Sequence, residues 1–203
     1  MNINCASCGG GLQIQYRYSK MVVCNYCGQT SYLTGSNATA EGQKNILADY
    51  GSILKTGAFI TLKGKKARVL GRLRFEYDGG FWDEWMLLLD GEEPQNEAWL
   101  QEDEGEFILY RKENVPAITE IFSDFEVGKT ATINQKDIFV AERHHATING
   151  GEGELPFRVK PGEKADFVDG IGVGTSVPFS LEFMPEATVL NVGEVLTIND
   201  ILL

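Results

Sequence analysis

Apolar and polar residues alternate along much of this chain, in short runs broken by glycine-containing turns, which predicts a mainly β fold. From Val69 to Tyr77 the alternation puts Val69, Leu73, Phe75 and Tyr77 on one face and Arg72, Arg74 and Glu76 on the other, as in a half-buried strand. The following run, Phe81 to Leu89, is apolar on both faces before an Asp90-Gly91 turn, so it should be covered twice. Trp82, Trp85 and Trp99 are read as anchors of that packing, with a carbohydrate or nucleobase platform as the alternative. Glu97–Leu100 and Phe107–Tyr110 predict further strands, and Val115–Phe122 a short helix. Residues Ala187–Ile198 alternate around a glycine-containing turn and should close the sheet.

The pattern recurs. Residues 56–80 align without a gap on 127–151, with seven identities in 25 positions: Gly57/Gly128, Thr61/Thr132, Lys65/Lys136, Val69/Val140, Arg72/Arg143, Gly79/Gly150 and Gly80/Gly151. Asp78-Gly79-Gly80 and Asn149-Gly150-Gly151 fall in register, and both suit a tight hairpin turn. The expectation is an internally duplicated β-barrel or β-sandwich-like body, with a first repeat at 57–122 and a second at 123–203.

Residues 1–35 read separately. All four cysteines lie there, as Cys5-x2-Cys8 and Cys24-x2-Cys27 with fifteen residues between the pairs, the spacing of a four-thiolate zinc ribbon. Zn2+ takes four ligands tetrahedrally, and two residues between cysteines let one turn present both sulfurs. Glycine follows each knuckle, as Gly9-Gly10 and Gly28. Between the knuckles, Leu12–Tyr18 alternates as a strand, Ser19-Lys20 turns, and Met21-Val22-Val23 returns. Four thiolates close the coordination shell, so the zinc is structural, and in so short a module metal binding supplies folding free energy on the order of 10 kcal/mol. Rubredoxin-like iron, disulfides and free thiols are the competing readings. With no secretory signal or membrane-spanning apolar stretch, a reducing cytoplasm is expected. Residues 36–56 read as a linker that leaves the ribbon mobile.

Charge separates the parts. Residues 1–35 hold Arg17 and Lys20 and no carboxylate, whereas the remainder has 16 basic against 29 acidic residues, a net −13. Such a body repels phosphate backbones, leaving the ribbon as the part that could contact nucleic acid. Tyr16, Tyr18, Tyr26 and Tyr32 there are read as packing residues.

Catalytic signals are sparse. Glu142-Arg143-His144-His145, with Glu152 and Glu154 across the expected hairpin, could bind a second metal or move protons. Adjacent strand residues point to opposite faces, so His144 is expected packed and His145 in solvent. Glu84 and Glu154 occupy matched places, with Arg72 and Arg143 as expected ion-pair partners. Gly170–Gly174 lacks the Lys-Ser/Thr and the strand-to-helix context of a phosphate loop and is read as a flexible loop.

These residues resemble a bacterial family carrying the domain of unknown function 4178, often preceded by a Cys-x2-Cys ribbon. The resemblance runs from about Gly57 to Leu202 through Val69–Phe75, Trp82-Asp83-Glu84-Trp85, Asp90-Gly91, Trp99-Leu100, Gly153–Pro156, Asp169-Gly170 and Ser180–Phe183. Glu92–Asn96 departs from it as an insertion-like loop. The resemblance implies no assigned activity and no catalytic residues, and it implies gene association with polyamine-synthesis enzymes, small membrane proteins and envelope-stress proteins. The resulting expectation is a non-catalytic binding or adaptor protein with a protein partner, without membrane insertion. The alternatives are a sensor or accessory component for a small molecule or polyamine, whose cation the acidic body attracts, and nucleic-acid binding through the ribbon.

Overall fold

The computed structural model describes residues 1–35, 37–90, 93–184 and 187–203, with side chains for all of these except 41–43. The cysteine-bearing region contributes β1 (Asn2–Asn4), β2 (Gly11–Gln13), β3 (Met21–Val23), β4 (Gln29–Thr34) and β5 (Asn37–Lys44). Then come β6 (Phe59–Leu62), β7 (Lys65–Tyr77), β8 (Gly80–Leu89), β9 (Glu97–Asp103) and β10 (Glu106–Lys112). The last group is β11 (Thr130–Ile133), β12 (Lys136–Leu155), β13 (Lys164–Gly172), β14 (Pro178–Phe183), β15 (Thr188–Leu196) and β16 (Ile201–Leu202).

Two antiparallel meanders, β7–β10 and β12–β15, join edge to edge through β10–β15 and β12–β7. Eight strands thereby close into a barrel with no free edge in the ring. The interior face is identified by contacts between strands that are not neighbours. Trp82 on β8 meets Phe167 on β13 at a centroid distance of 5.0 Å, and Phe75 on β7 meets Phe167 at 5.1 Å. Leu73, Met86, Leu88, Ala146 and Ile148 share that core.

The outer faces are also covered. Trp85, Leu87, Leu100 and Leu109 pack beneath Leu54, β6 and β16, while Val168, Leu181 and Leu190 pack beneath β11 and Phe125. This double cover explains why β8 is apolar on both faces, each buried Leu or Phe contributing roughly 1.5–3 kcal/mol.

β7 departs from the half-buried reading. A bulge between Val69 and Gly71 shifts its register against β8, so Val69 joins the outer core while Leu73 and Phe75 join the inner one. Arg72 and Arg74 are only 4% and 3% exposed. Arg74 grips Asp83 with two bonds of 2.8 and 2.6 Å and sits against the adjoining rings of Tyr50 and Phe81. Arg72 reaches Asp83 at 3.3 Å and Glu152 at 2.7 Å. Hydrogen-bonded carboxylates therefore offset the desolvation that sequence alternation assigned to water.

The two halves correspond residue by residue at their start. Phe59 pairs with Arg68 and Leu62 with Lys65, and Thr130 with Phe139 and Ile133 with Lys136, each 71 positions later. The bulge after Val69 recurs after Val140, and the Gly57 N–H bond to the Val69 carbonyl recurs from Gly128 to Val140. The correspondence stops at the turns. Asp78-Gly79 closes the β7–β8 hairpin, but Asn149-Gly150-Gly151 does not turn, because β12 runs straight through it to Leu155.

These glycines serve close approach instead. A Cβ at Gly150 would lie 2.8 Å from Asn45 Oδ1, and one at Gly151 3.1 Å from the Arg72 carbonyl oxygen. Gly153 and Gly71 face each other in the β12–β7 pairing, and a Cβ on either would meet backbone oxygen at 2.2–2.3 Å.

Three other expectations change. The linker at 36–56 contains β5, which pairs with β4, and β3 pairs with Gly153–Leu155 of β12, so the ribbon is stitched to the barrel. Val115–Ile121 is irregular chain, with a single 3-10 turn at Phe122–Asp124 in place of the expected helix, and Val115, Ile118 and Phe122 pack on the outer core. Gly193 lies within β15 rather than in a turn, with the Tyr110 ring against it, and Gly170–Gly172 belongs to β13. The Asp90-Gly91 turn and the Glu92–Asn96 loop fall partly outside the described residues, at Gly91 and Glu92.

The glycine contacts predict a large contrast. Gly153→Ala should cost about 3 kcal/mol or more in denaturant unfolding, because backbone must move. Gly162→Ala has the same left-handed φ with open space around it and should cost about 1 kcal/mol. Equal costs would refute the close-approach account.

Candidate metal centre and barrel chamber

The Cys5 turn is closed by the Gly9 N–H donating to the Cys5 carbonyl, and the Cys24 turn by the Gly28 N–H donating to the Cys24 carbonyl, both glycines at positive φ. The four sulfurs all lie within 4.8 Å of one another. Cys5–Cys27 and Cys8–Cys24 are each 3.8 Å apart, far longer than a disulfide of about 2.05 Å. Four sulfurs about 2.3 Å from a central tetrahedral ion would stand about 3.8 Å apart, so this donor set fits one. Among the described residues this is the cluster that could hold a metal ion, through Cys5, Cys8, Cys24 and Cys27.

Burial pushes the Cys5 thiol up, but N–H groups of Cys8 and Ser7 and the neighbouring thiols outweigh it and bring it to about 7. At Cys8 the Gly10 N–H lowers the pKa, while Cys27, burial and the other thiols raise it, to about 11. Leu12, Ile14, Val22 and Leu33 pack around the cysteines as a small core of their own.

One carboxylate docks this module. Glu154 accepts from the Gln15 N–H at 2.8 Å, the Tyr16 N–H at 3.0 Å and the Ser19 hydroxyl at 2.8 Å. The expected Glu154–Arg143 and Glu84–Arg72 ion pairs do not form: Arg143 stacks on Phe122, and Glu84 accepts from the Trp82 indole at 3.0 Å. From the docked turn, Tyr16 donates to Glu97 and Arg17 pairs with Glu93 at 2.7 Å. The ribbon thereby spans from β12 to the first residue of β9 and the segment before it.

Beneath that span is a cavity of about 570 Å3, with Tyr18 and Lys20 of the ribbon at its edge. Trp99, Phe157, Met184 and Val189 form apolar wall, and Glu84, Arg111, Lys112, Glu182 and Asn191 line it from the barrel strands, so its polar surface carries both signs of charge. An eight-stranded barrel has room for about one small ligand when side chains do not fill it.

Glu84, on β8, is raised to about 7 by burial, the Trp82 bond holding it down and Asp169 pushing it up. Glu182, on the opposite side of the ring, is held well above the ordinary carboxylate value by burial and by the charges of Glu84 and Asp169. Burial also lifts Asp169 to about 6, against a bond from Ser180. Asp169 and Glu182 are enclosed by the barrel yet not sealed, since their side chains face interior space. Tyr110 on β10 is raised by burial and by the nearby Asp169, Glu84 and Glu182.

The histidines form no common site. His144 is half-buried against Tyr77 and Trp82 and bonds Glu142 at 2.8 Å, while His145 is exposed and bonds Asp166 at 2.8 Å. Their register partners are Phe167 and Asp166 on β13, so Glu152 and Glu154 are not across from them. Trp82 is interior, Trp85 lies in the outer core, and Trp99 stacks on Phe157. Of the ribbon tyrosines, Tyr16 and Tyr32 are buried and Tyr26 is 68% exposed. Sequence reading missed Asp169, Glu182 and Tyr110; polar residues at alternate strand positions ordinarily signal a solvent face, and only closure turns that face inward.

Residues 55–197, about seven-tenths of the chain, match the family described as domain of unknown function (DUF4178). The chain belongs to the DUF4178 family. The four-cysteine cluster precedes the DUF4178 region, whereas the chamber carboxylates lie within it. No curated protein and no solved structure matches the chain. No helix among the described residues is long and apolar enough to cross a membrane.

The raised carboxylates predict a pH dependence opposite in sign to that of a salt-bridged acid. Glu84 binds its proton more tightly folded than unfolded, so its penalty is absent below about 4.5 and grows as pH rises to about 7. Relative to Glu84→Gln, the unsubstituted protein should lose on the order of 1.4 kcal/mol per pH unit across that window. Parallel stability–pH curves for the two proteins would contradict the assignment.

Proposed function

We propose that the protein binds rather than transforms its target: a zinc-stapled ribbon closes over a β-barrel whose chamber receives a small molecule. The observation that supports this most strongly is the cavity of about 570 Å3 reaching from ribbon residues Tyr18 and Lys20 to the interior residues Glu84, Glu182 and Asn191. A structural element covering a partly apolar, partly polar hollow is a common ligand-site arrangement. Catalysis is not part of this reading, since the two histidines are divided between separate surroundings.

Zinc is the proposed ion because a closed tetrathiolate suits a metal with no redox chemistry, and thiols kept free for it suit a reducing cytoplasm. A protein partner is a second role for the ribbon. Tyr26 and Ile46, 68% and 79% exposed, offer apolar surface beside Gly10 and Gly28 of the knuckles. Nucleic-acid binding is less well supported, because Arg17 is paired with Glu93 and Lys20 edges the chamber.

Native mass spectrometry of undialysed protein from its own host tests the reading. The expected spectrum carries one zinc per chain and a small-molecule adduct, and Cys24→Ser should lose both together. Zinc-loaded protein carrying no adduct of any mass would overturn it.

A further inference from the structure

We propose that the cleft between the cysteine-bearing module and the segment after β12 takes an acidic peptide segment of a partner protein. This second site does not depend on occupancy of the chamber, although the two adjoin and share Lys20, Pro156 and Phe157. The cleft measures about 860 Å3, within the roughly 300–1,000 Å3 of ligand pockets. It is walled by Ile14–Arg17 with Ser19 and Lys20, by the end of β4, and by Pro156–Arg158.

Its charge is opposite to that of the chain as a whole. The chain is net −11, yet Arg17, Lys20 and Arg158 line the cleft and, among the described residues, no carboxylate does. Arg17 is engaged by Glu93 at 2.7 Å, so the pull on an anion comes from the other two. The Lys20 backbone is pinned on both sides, its N–H donating to the Leu155 carbonyl at 2.9 Å and its carbonyl accepting from the Leu33 N–H at 2.8 Å. Its ammonium has no hydrogen-bond or ion-pair partner among the described residues. Arg158 stacks over the Tyr32 ring at 4.9 Å and makes a single bond, of 3.3 Å, to the Thr34 hydroxyl, which leaves most of its N–H donors free.

The peptide class follows from the other unpaired groups. Gln15, which lines the cleft, has its side-chain Oε1 buried without a partner, and only a ligand N–H or O–H satisfies it. A bare anion such as sulfate has no donor to offer. The N–H groups of Phe157 and Arg158 make no hydrogen bond among the described residues and call for acceptors. A peptide supplies both, an amide N–H and a carbonyl at each residue, with carboxylate side chains for Lys20 and Arg158. Ile14, Leu33, Pro156 and Phe157 add carbon surface for an aliphatic side chain between the acids. Nucleic acid fits less well, since two open cations release few counterions and the net −13 of the body repels a phosphate backbone.

Fluorescence anisotropy on the full-length protein at low salt provides the test. The probe is a labelled, end-capped hexapeptide alternating glutamate and leucine, and the comparators are the same peptide with glutamine for glutamate and a labelled hexathymidylate. The acidic peptide should bind saturably at one site, and each comparator about tenfold more weakly or worse. Lys20→Gln and Arg158→Gln should each weaken the acidic peptide about fivefold or more with unchanged melting temperature. Lys129→Gln, an equal charge change at an exposed residue outside the cleft, should leave affinity within about twofold. Absence of saturable binding, a comparator of equal or higher affinity, full affinity in either cleft variant, or an equal loss in Lys129→Gln would overturn the assignment. Arg158 lines the cleft and not the chamber, so Arg158→Gln should lose the peptide while keeping the adduct in the native mass spectrum, and the two sites fail separately.

Discussion

The structure depends on the backbone contact between Gly71 and Gly153. There β12 comes so close to β7 that neither residue has room for a Cβ, and that pairing closes the eight-strand ring. The same three-residue end of β12, Gly153–Leu155, carries β3 of the ribbon on its pairing register. Within these three residues, closure of the barrel, attachment of the cysteine-bearing module and placement of Glu154 are all fixed. A strand this long does different work along its length: 138–147 pair with β13, 148–153 with β7, and 153–155 with β3.

From that junction the functional geometry follows. Glu154 emerges beneath the ribbon and satisfies two backbone N–H groups and a hydroxyl, which holds the Gln15–Ser19 turn in place. The turn in turn reaches Glu93 and Glu97 and sets Tyr18 and Lys20 at the edge of the chamber. A metal ion held by the four sulfurs would therefore do more than fold a small module, since the loop between its two knuckles forms part of the wall of a cavity that barrel strands and their connecting segments complete. Inside, closure converts one sheet face into an enclosed space, and the carboxylates on that face acquire raised pKa values because burial strips their water and sets them near one another.

How much of this was legible in the sequence depended on whether the signal was local. The cysteine knuckles were readable because Cys-x2-Cys followed by glycine is a self-contained turn. The β class followed from alternation, and the double cover of Phe81–Leu89 from its lack of a polar face. Long-range pairing was not readable. Gly150-Gly151 carries the same letters as a hairpin turn, yet glycine serves equally where another chain presses close, and only the β12–β7 and Asn45 contacts decide between the two uses. Arg72 and Arg74 looked solvent-facing because Asp83 and Glu152, which make their burial tolerable, could not be placed beside them. Asp169 and Glu182 were hidden for the same reason, since an inward polar residue is distinguishable from an outward one only after the ring closes.

The central claim is that ribbon and barrel form one folding unit joined at the end of β12. Native-state hydrogen exchange on the full-length protein tests it most directly, by comparing the opening free energies of the Gln15 and Tyr16 amides, which donate to Glu154, with those of the β7–β12 pairing. The account predicts one shared opening free energy for both groups. Ribbon amides that exchange through a separate, lower-energy opening while the β7–β12 amides stay protected would contradict it.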